Sequence, residues 1–485
     1  MGRALIWQGE SSDQDMKQYD LIVIGTGPAG HHGAVQAAKL GKSVAVVETR
    51  SIGGACIHTG TIPSKTIREA VLQLYRFKQW GFYGAGREGT GKFSIEHLVQ
   101  RLGQVIRSET AVYDDQFRRN GVAILNGLAS FVNPHVIRVA NEEGQADFAT
   151  QYVLIATGTR PAHNDSIPFD GAAIFDSDAV VNLPMLPEVL TIVGGGVVGA
   201  EYGCMAAAMG IEVTMIERES RMLDFVDDQI VEALGYHMGS HGVTFRHGEE
   251  ALEVIKTSEG KVCVKLKSNK EVWSDALLYA VGRQGNTESL NLAAAGVKAD
   301  ERGRLSVNEA FQTAVPHIYA AGDVIGFPSL ASVSMEQGRL AACHAFRQPT
   351  SCTPHLFPYG IYSIPEISFV GKTERQLTEE GVPYEVGLAN YREIARGQII
   401  GDTSGLLKLL FHRKTRRLLG VHIIGEGATE LIHIGQTALA FEGTVEFFVS
   451  TVFNYPTLAE CYKVAALDAF NRLNYPGRDA KCALR

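Results

Sequence analysis

The sequence predicts an α/β protein: two doubly wound domains of parallel strands, followed by a smaller α+β domain. Three observations carry that expectation. A strand, glycine-rich turn, helix and second strand occur in that order twice, at 19–48 and again at 189–217. Two further apolar strands, "QYVLIATGTRP" (151–161) and "PHIYAAGDV" (316–324), run into turns of small residues. After residue 350 apolar and polar residues alternate between prolines, a texture that suits an antiparallel sheet.

The first repeat reads "YDLIVIGTGPAGHHGAVQAAKLGKSVAVVE". Gly25, Gly27 and Gly30 stand in the G-x-G-x-x-G frame directly after an apolar strand, and Glu48 ends the next strand. Glycines at that spacing permit a tight turn, a close approach of a pyrophosphate to the helix start, and close helix–strand packing. The strand-end carboxylate can accept hydrogen bonds from ribose hydroxyls. The second repeat, "VLTIVGGGVVGAEYGCMAAAMGIEVTMIE", supplies Gly194, Gly196 and Gly199 with Glu217 at the matching strand end. Two complete fingerprints imply two dinucleotides or one internal duplication, and both are expected, on two Rossmann-like domains.

The run 190–210 is apolar enough to suggest a membrane span, but its glycines and the ionisable Glu201 near its middle argue for a soluble fold. In "PHIYAAGDV", Gly322 and Asp323 follow the strand, and Asp323 either reaches a cofactor's ribityl or pyrophosphate oxygens or serves as a turn or cap residue. "GLLKLLFHRKTRRLLGVHIIG" reads as two strands joined at a charged turn. "GATELIHIGQTALAFEGTVEFFVSTVF" has helical periodicity, with His433 on its apolar side as a core histidine.

Length and composition agree with this organisation. A chain of 485 residues implies several domains, and 45% hydrophobic with 20% charged residues is the composition of a soluble globular protein. A net charge of −8 disfavours nucleic acid as a partner. The seven cysteines, at 56, 204, 263, 343, 352, 461 and 482, form no CxxC pair and no cluster with zinc spacing, so no metal is expected. They point to free thiols in a reducing cytoplasm, with no membrane association. Residues 1–16 read as a disordered extension, with Met16 as an alternative start.

The order of these motifs resembles the flavoprotein disulfide reductases, from about residue 17 onward. The resemblance implies an FAD-binding domain at 17–163 and 284–350, an NAD(P)-binding domain at 164–283, and a dimerisation domain at 351–485. It implies a homodimer in which each active site borrows residues from its partner. The FAD set is then Gly25, Gly27, Gly30, Glu48, Gly53, Gly54, Cys56, Gly158 and Asp323. The nicotinamide set is Gly194, Gly196, Gly199, Glu217, Arg218, Arg221 and Gly282. Lys65 and Glu201 are implied to sit near the flavin's reactive edge, the cation stabilising charge that develops there and the Glu holding it; the bland alternative is an ordinary salt bridge.

Two departures from that family pattern decide the chemistry expected. In "IGGACIHTGTIPSK" (52–65) the first redox cysteine is Cys56, but the second position holds Thr61. In "NYPTLAE" (454–460) Pro456, Thr457 and Glu460 fit the family's C-terminal motif, but Tyr455 stands where the acid–base histidine belongs. A single thiol forms no internal disulfide, and a phenol with an unperturbed pKa of about 10 is a poor base for thiolates. The resemblance implies that Tyr455 and Glu460 sit at the dimer interface near the flavin of the other subunit, with a packing role for Tyr455 rather than proton transfer.

Electrons entering the flavin need another exit, and a second nicotinamide in the same pocket supplies it. "GTIPSK" with "FNYPTLAE", "GDVIGFPSLA" and "SMEQGRLAA" is similar to the soluble NAD(P) transhydrogenases. The expected reaction is NADPH + NAD+ to NADP+ + NADH, ping-pong through FAD. An NAD(P)H oxidase or quinone reductase, or a non-catalytic FAD-bearing subunit, are the alternatives. Glu217 beside Arg218 and Arg221 suits a site that takes both nucleotides, although the same charges can be a solvated strand end. Cys56 is read as a packing residue beside the flavin, with a thiolate or oxidant-sensing role as the alternative. Cys461 and Cys482 lack the adjacent pairing of a mercuric reductase tail.

Overall fold

The computed structural model describes residues 16–79, 95–183, 185–350 and 356–474. The extension before Met16, Cys352 and Cys482 lie outside the described residues. By internal contacts the chain divides into two units. One comprises residues 1–67, 92–162 and 282–352; the other comprises 68–91, 163–281 and 353–485.

In the first unit the strands are near-continuous apolar runs because both faces of a parallel sheet are covered. Gln18–Ile24 lies between Val44–Glu48 and Gly144–Ile155, all parallel, and Ala123–Asn126 extends the sheet beyond Val44–Glu48. Ile318–Ala320 pairs in parallel with the C-terminal end of Gly144–Ile155. The other end of that long strand carries an antiparallel hairpin, Leu128–Asn133 and Val136–Asn141, which sequence reading did not anticipate. Ile24, Ile155 and Ala320 fall in register, so the turns that follow them lie side by side at the carboxyl edge of the sheet. That edge is where doubly wound sheets take their ligands.

The second unit contains an all-parallel sheet in the order Val243–His247, Glu212–Glu217, Val189–Val193, Ala276–Tyr279, Ile174–Phe175. A three-stranded antiparallel sheet, Ala251–Lys256, Val262–Leu266 and Glu271–Ser274, is appended to the same stretch. The segment 190–210 is strand, turn and the helix Val197–Met209, and no described helix is long and apolar enough to cross a membrane.

The C-terminal part of that unit is a five-stranded antiparallel sheet, ordered Tyr359–Ile361, Ile367–Gly371, Leu418–Ile424, Leu406–His412, Tyr384–Asn390. "GLLKLLFHRKTRRLLGVHIIG" forms the expected strand pair. The helix Glu460–Leu473 packs so closely on the sheet that a Cβ at Gly387 would overlap the Ala465 carbonyl. The helical stretch after Gly427 is broken into Ala428–Ala440 and Val445–Ser450 by Glu442, held at φ +53°. His433 is exposed and hydrogen-bonds Gln436 at 2.8 Å, which corrects its assignment to the core: the helix turns Ile432, Gly435 and Ala438 inward instead.

Candidate active site

In the first unit the Gly-rich turn does three separate things. Gly25 has φ +99°, and a Cβ there would lie 2.5 Å from the Ala156 carbonyl oxygen. A Cβ at Gly30 would overlap the Gly25 carbonyl, so the helix Pro28–Lys39 can pack only on glycine. Gly27 faces open space at the helix start, where the peptide dipoles favour an anion.

Thr26, between the glycines, links the turn to its neighbours. Its hydroxyl donates to Glu48 Oε2 at 2.5 Å and accepts the Gly53 N–H at 3.1 Å. Glu48 also accepts the N–H groups of Thr49 and Arg50 at 2.9 and 3.0 Å. Gly54, at φ +59°, brings the short helix Gly54–His58 down on the turn: a Cβ there would lie 3.2 Å from Gly27 Cα. Thr26 escaped sequence reading, although a hydroxyl inside G-x-G opposite a strand-end acid is the signal that finds it.

That short helix carries Cys56. Burial raises its thiol pKa above the ordinary value, and a hydrogen bond with the Thr61 side chain only partly offsets this. The thiol therefore stays protonated near neutrality. Thr61 thus occupies the second-cysteine position in bonding contact with Cys56. Glu109, on the helix Ile95–Arg119, also raises it electrostatically, and Cys56 in turn raises the Tyr113 pKa on the same helix, secondary to burial; both residues lie far along the chain, and no motif marks them. Tyr113 stacks on the buried His31 at 3.9 Å.

Lys65 follows on the helix Thr61–Gln79, half-buried, with Nζ 3.3 Å from Ser64 Oγ. Asp323 opens the turn after Ile318–Ala320. Burial raises its pKa; the Arg283 charge and the Thr159 hydroxyl, which donates at 3.3 Å, pull the other way. The Gly322 N–H is taken by Gln337 Oε1 at 2.9 Å. Gly158, at φ +64°, faces open space, and the neighbouring Thr157 hydroxyl is buried without a hydrogen-bond partner. An elongated phosphate- and hydroxyl-bearing cofactor fits this edge: open glycines at the helix start, a carboxylate and an unpaired hydroxyl further along.

The second unit repeats the device. Gly194 has φ +109°, a Cβ at Gly199 would overlap the Gly194 carbonyl, and Gly196 faces open space at the start of Val197–Met209. Glu217 accepts the Gly195 N–H through Oε2 and the Glu219 N–H at 2.8 Å through Oε1. Arg218 is exposed and lies 3.2 Å from Glu219. Arg221 is engaged by Asp224 at 3.0 Å and by Asp228. Gly282, which falls in the first unit, has φ +116° and open space around it. Glu201, on the same helix as Gly199, is 5% exposed, and its carboxylate accepts the Tyr362 N–H at 2.8 Å. Lys65 belongs to the first unit and Glu201 to the second.

Far along the chain, Tyr455 is 75% exposed, as are Phe441 and Val452, at 82% and 90%. Glu460 Oε2 is buried without a hydrogen-bond partner. The cysteines at 56, 204, 263, 343 and 461 are all free thiols.

Fold and site together define a protein with a dinucleotide-type glycine turn at each of two parallel sheets and a single-thiol helix laid on the first of them. The chain belongs to the pyridine nucleotide-disulphide oxidoreductase family, whose model matches residues 19–338 and whose dimerisation domain matches residues 357–466. It is 49% identical over 461 residues to the soluble pyridine nucleotide transhydrogenase of Mycobacterium tuberculosis (strain ATCC 25177 / H37Ra), covering 94% of this chain and 98% of that protein. The protein of the same name from Colwellia psychrerythraea is 43% identical with the same coverage. Among solved structures, LpdA of Mycobacterium tuberculosis superposes with a TM-score of 0.85 at 27% identity, over 93% of this chain and 99% of that one. The HOCl-induced flavoprotein disulfide reductase RclA of Escherichia coli gives 0.83 at 27% identity, with the same coverage.

Proposed function

We infer that the protein is an FAD-dependent pyridine nucleotide transhydrogenase that converts NADPH and NAD+ to NADP+ and NADH. The observation that carries this is the Cys56–Thr61 pair: both dinucleotide turns are intact, while the thiol exit of a disulfide reductase holds one protonated thiol against a hydroxyl. The relatives named as soluble transhydrogenases, at 43–49% identity over 94% of the chain, support the same reaction. FAD, when bound, would supply the hydride-accepting and hydride-donating chemistry between the two nicotinamides.

This chain's residues supply orientation and charge. In our reading Gly25, Gly27 and Gly30 seat the FAD pyrophosphate, Glu48 its ribose, and Asp323 with Gly158 its ribityl side; Gly53, Gly54 and Cys56 wall the ring. Gly194, Gly196, Gly199 and Gly282 admit the exchanging nucleotide, and Glu217 meets a ribose hydroxyl while Arg218 and Arg221 serve a 2′-phosphate. Lys65 would place positive charge where negative charge develops, and orienting the nicotinamide for transfer would supply much of the rate. Hydride exchange needs no base, so Tyr455 is left to packing.

We propose 17–163 with 284–350 as the FAD domain, 164–283 as the NAD(P) domain and 351–485 as the dimerisation domain. The breaks between units at 162/163, 281/282 and 352/353 support the edges of the FAD domain, while the other two stretches, together with 68–91, fall in one unit. The protein is a homo-oligomer through the family's dimerisation domain. It is soluble, as its relatives are named, and its free thiols support a place in the cytoplasm.

The test is NADPH-driven reduction of thio-NAD+ by the FAD-loaded protein, beside an oxygen-uptake control. Thio-NADH should accumulate with little oxygen consumed. Fast oxygen uptake without thio-NADH would make the protein an oxidase.

A further inference from the structure

The strand-end segment after Glu217 is fastened in a way that a single-nucleotide site does not require. Leu223, held at φ +49°, donates its N–H to the Gly195 carbonyl at 3.0 Å, so residues 218–223 fold back over the Gly-rich turn. Arg221 reaches out of this fold to Asp224, by Nε to Oδ1 at 3.0 Å and by Nη2 to the backbone oxygen at 2.8 Å, and to Asp228. The same two carboxylates are held a second time. Arg375, on the helix Glu374–Glu379, reaches Asp224 Oδ1 at 3.1 Å and Asp228 Oδ1 at 2.8 Å. Two guanidiniums and two carboxylates therefore form one neutral group beside the ribose-binding turn.

This sharing has an electrostatic consequence. With Arg221 alone on the acid pair, turning it toward a ligand would leave two carboxylates without a cation. With Arg375 in place, one positive charge stays on the pair and the cost of releasing Arg221 falls. We propose that Arg375 is the positioning residue that lets this site serve both nucleotides: it holds Asp224 and Asp228 compensated while Arg221 turns from them to a 2′-phosphate. When the nucleotide carries a 2′-hydroxyl, Arg221 stays on the acids and Glu217 takes the ribose. This deepens, and rests on, the reading of Arg221 as a 2′-phosphate ligand.

The experiment titrates FAD-loaded enzyme with 2′,5′-ADP and with 5′-AMP, two probes that differ only in the 2′-phosphate and carry no nicotinamide. Arg375 is 39% exposed, so Arg375→Met folds. It should weaken 2′,5′-ADP about fivefold, the scale of a partly exposed ion pair, and leave 5′-AMP unchanged. Arg375→Lys should recover part of the loss. Asp224→Asn/Asp228→Asn should bind 2′,5′-ADP more tightly than wild type, and adding Arg375→Met to it should change nothing further. Equal weakening of both probes by Arg375→Met, no change in either, or the same loss in the Asn/Asn background would each overturn the proposal. Arg221→Met separates it from the reading beneath it. If that variant keeps wild-type preference for 2′,5′-ADP, the phosphate assignment itself fails; if it loses the preference while Arg375→Met does not, only the role of Arg375 fails.

Discussion

Removing the Lys408 ammonium should expose how the nucleotide-binding segment is anchored. Lys408 lies on the strand Leu406–His412, next to the edge strand Tyr384–Asn390, with its side chain 1% exposed, and its Nζ is 2.8 Å from Asp227 Oδ1 and paired with Glu374. Asp227 is equally buried and caps the helix Asp228–Ser240, accepting the Gln229 N–H. Burial by itself would raise the Asp227 carboxyl pKa, yet it lies below the ordinary 3.8 because His422 and Lys408 pull it down. Burial keeps His422 neutral, so near neutral pH the cation that matters is Lys408.

Lys408→Met leaves a buried carboxylate without its cation, which costs about 3–5 kcal/mol. At about 2 °C per kcal/mol for a unit of this size, the melting temperature of the FAD-loaded enzyme should fall by about 6–10 °C at pH 8. Adding Asp227→Asn removes the stranded charge but keeps a capping oxygen, so the double variant should regain at least about 2 kcal/mol.

The pH dependence carries a definite sign. In the wild type the depressed Asp227 pKa gives stability that is present above pH 3.8 and lost only as pH falls through the lower folded value, so its contribution is flat from pH 5 to 8. In Lys408→Met the folded pKa rises above the unfolded one. Stability from Asp227 is then kept at low pH and lost as pH rises through the folded value. Without Lys408 beside it His422 protonates more easily, which acts in the same direction. The variant's deficit should therefore be smaller at pH 5 than at pH 8. A fall of less than about 2 °C at pH 8, or a double variant less stable than Lys408→Met, would refute the reasoning.

Three further outcomes follow from the site. Gly30→Ala and Gly199→Ala place the same Cβ against the same carbonyl in the two turns, each costing about 1–3 kcal/mol of local packing. The first should purify with reduced flavin content, whereas the second should keep its flavin and lose nicotinamide affinity; flavin loss from both would mean the turns do not divide the two dinucleotides. Cys56→Ser should retain most transhydrogenase turnover, because the native thiol is already protonated; near-complete loss with FAD still bound would give Cys56 a chemical role. Lys65→Met should slow bleaching of the flavin absorbance by NADPH about tenfold or more in stopped flow, and an unchanged rate would remove Lys65 from the mechanism.

Much of this was legible in the sequence because the turns are local. Gly25 and Gly30, or Gly194 and Gly199, act within a few residues of a strand, so spacing alone exposes them. Thr61 was legible for the same reason, as a substitution inside a short motif. Arg375, Lys408, Glu109 and Tyr113 were not. Each meets its partner across tens to hundreds of residues, and a lone Lys in "LLKLL" reads as the polar face of a strand until its burial is known. His433 failed in another way: its neighbours at i−1, i+2 and i+5 face inward, and periodicity placed the apolar stripe one position too wide.

The two strand-end acids show how one motif is tuned to two tasks. Glu48 is held by the Thr26 hydroxyl and by the amides of Thr49 and Arg50, and Thr26 in turn fixes Gly53 above the turn. The first site is thus closed over by its own hydrogen bonds and by the Gly54 contact on Gly27, an arrangement that suits a cofactor that stays. Glu217 has two backbone partners, and the residues after it, which fold back to Gly195 through the Leu223 N–H, are charged and shared among alternative partners. In the proposed ping-pong cycle, a site whose occupant leaves every half-cycle would gain from such exchangeable partners, since uniform tight binding would slow product release without lowering the barrier. The retained glycines of "IGGACIHTGTIPSK" fit the same logic. In the proposed function they would hold the helix against FAD while Thr61 closes the thiol route, so turnover would depend on exchange at the second site.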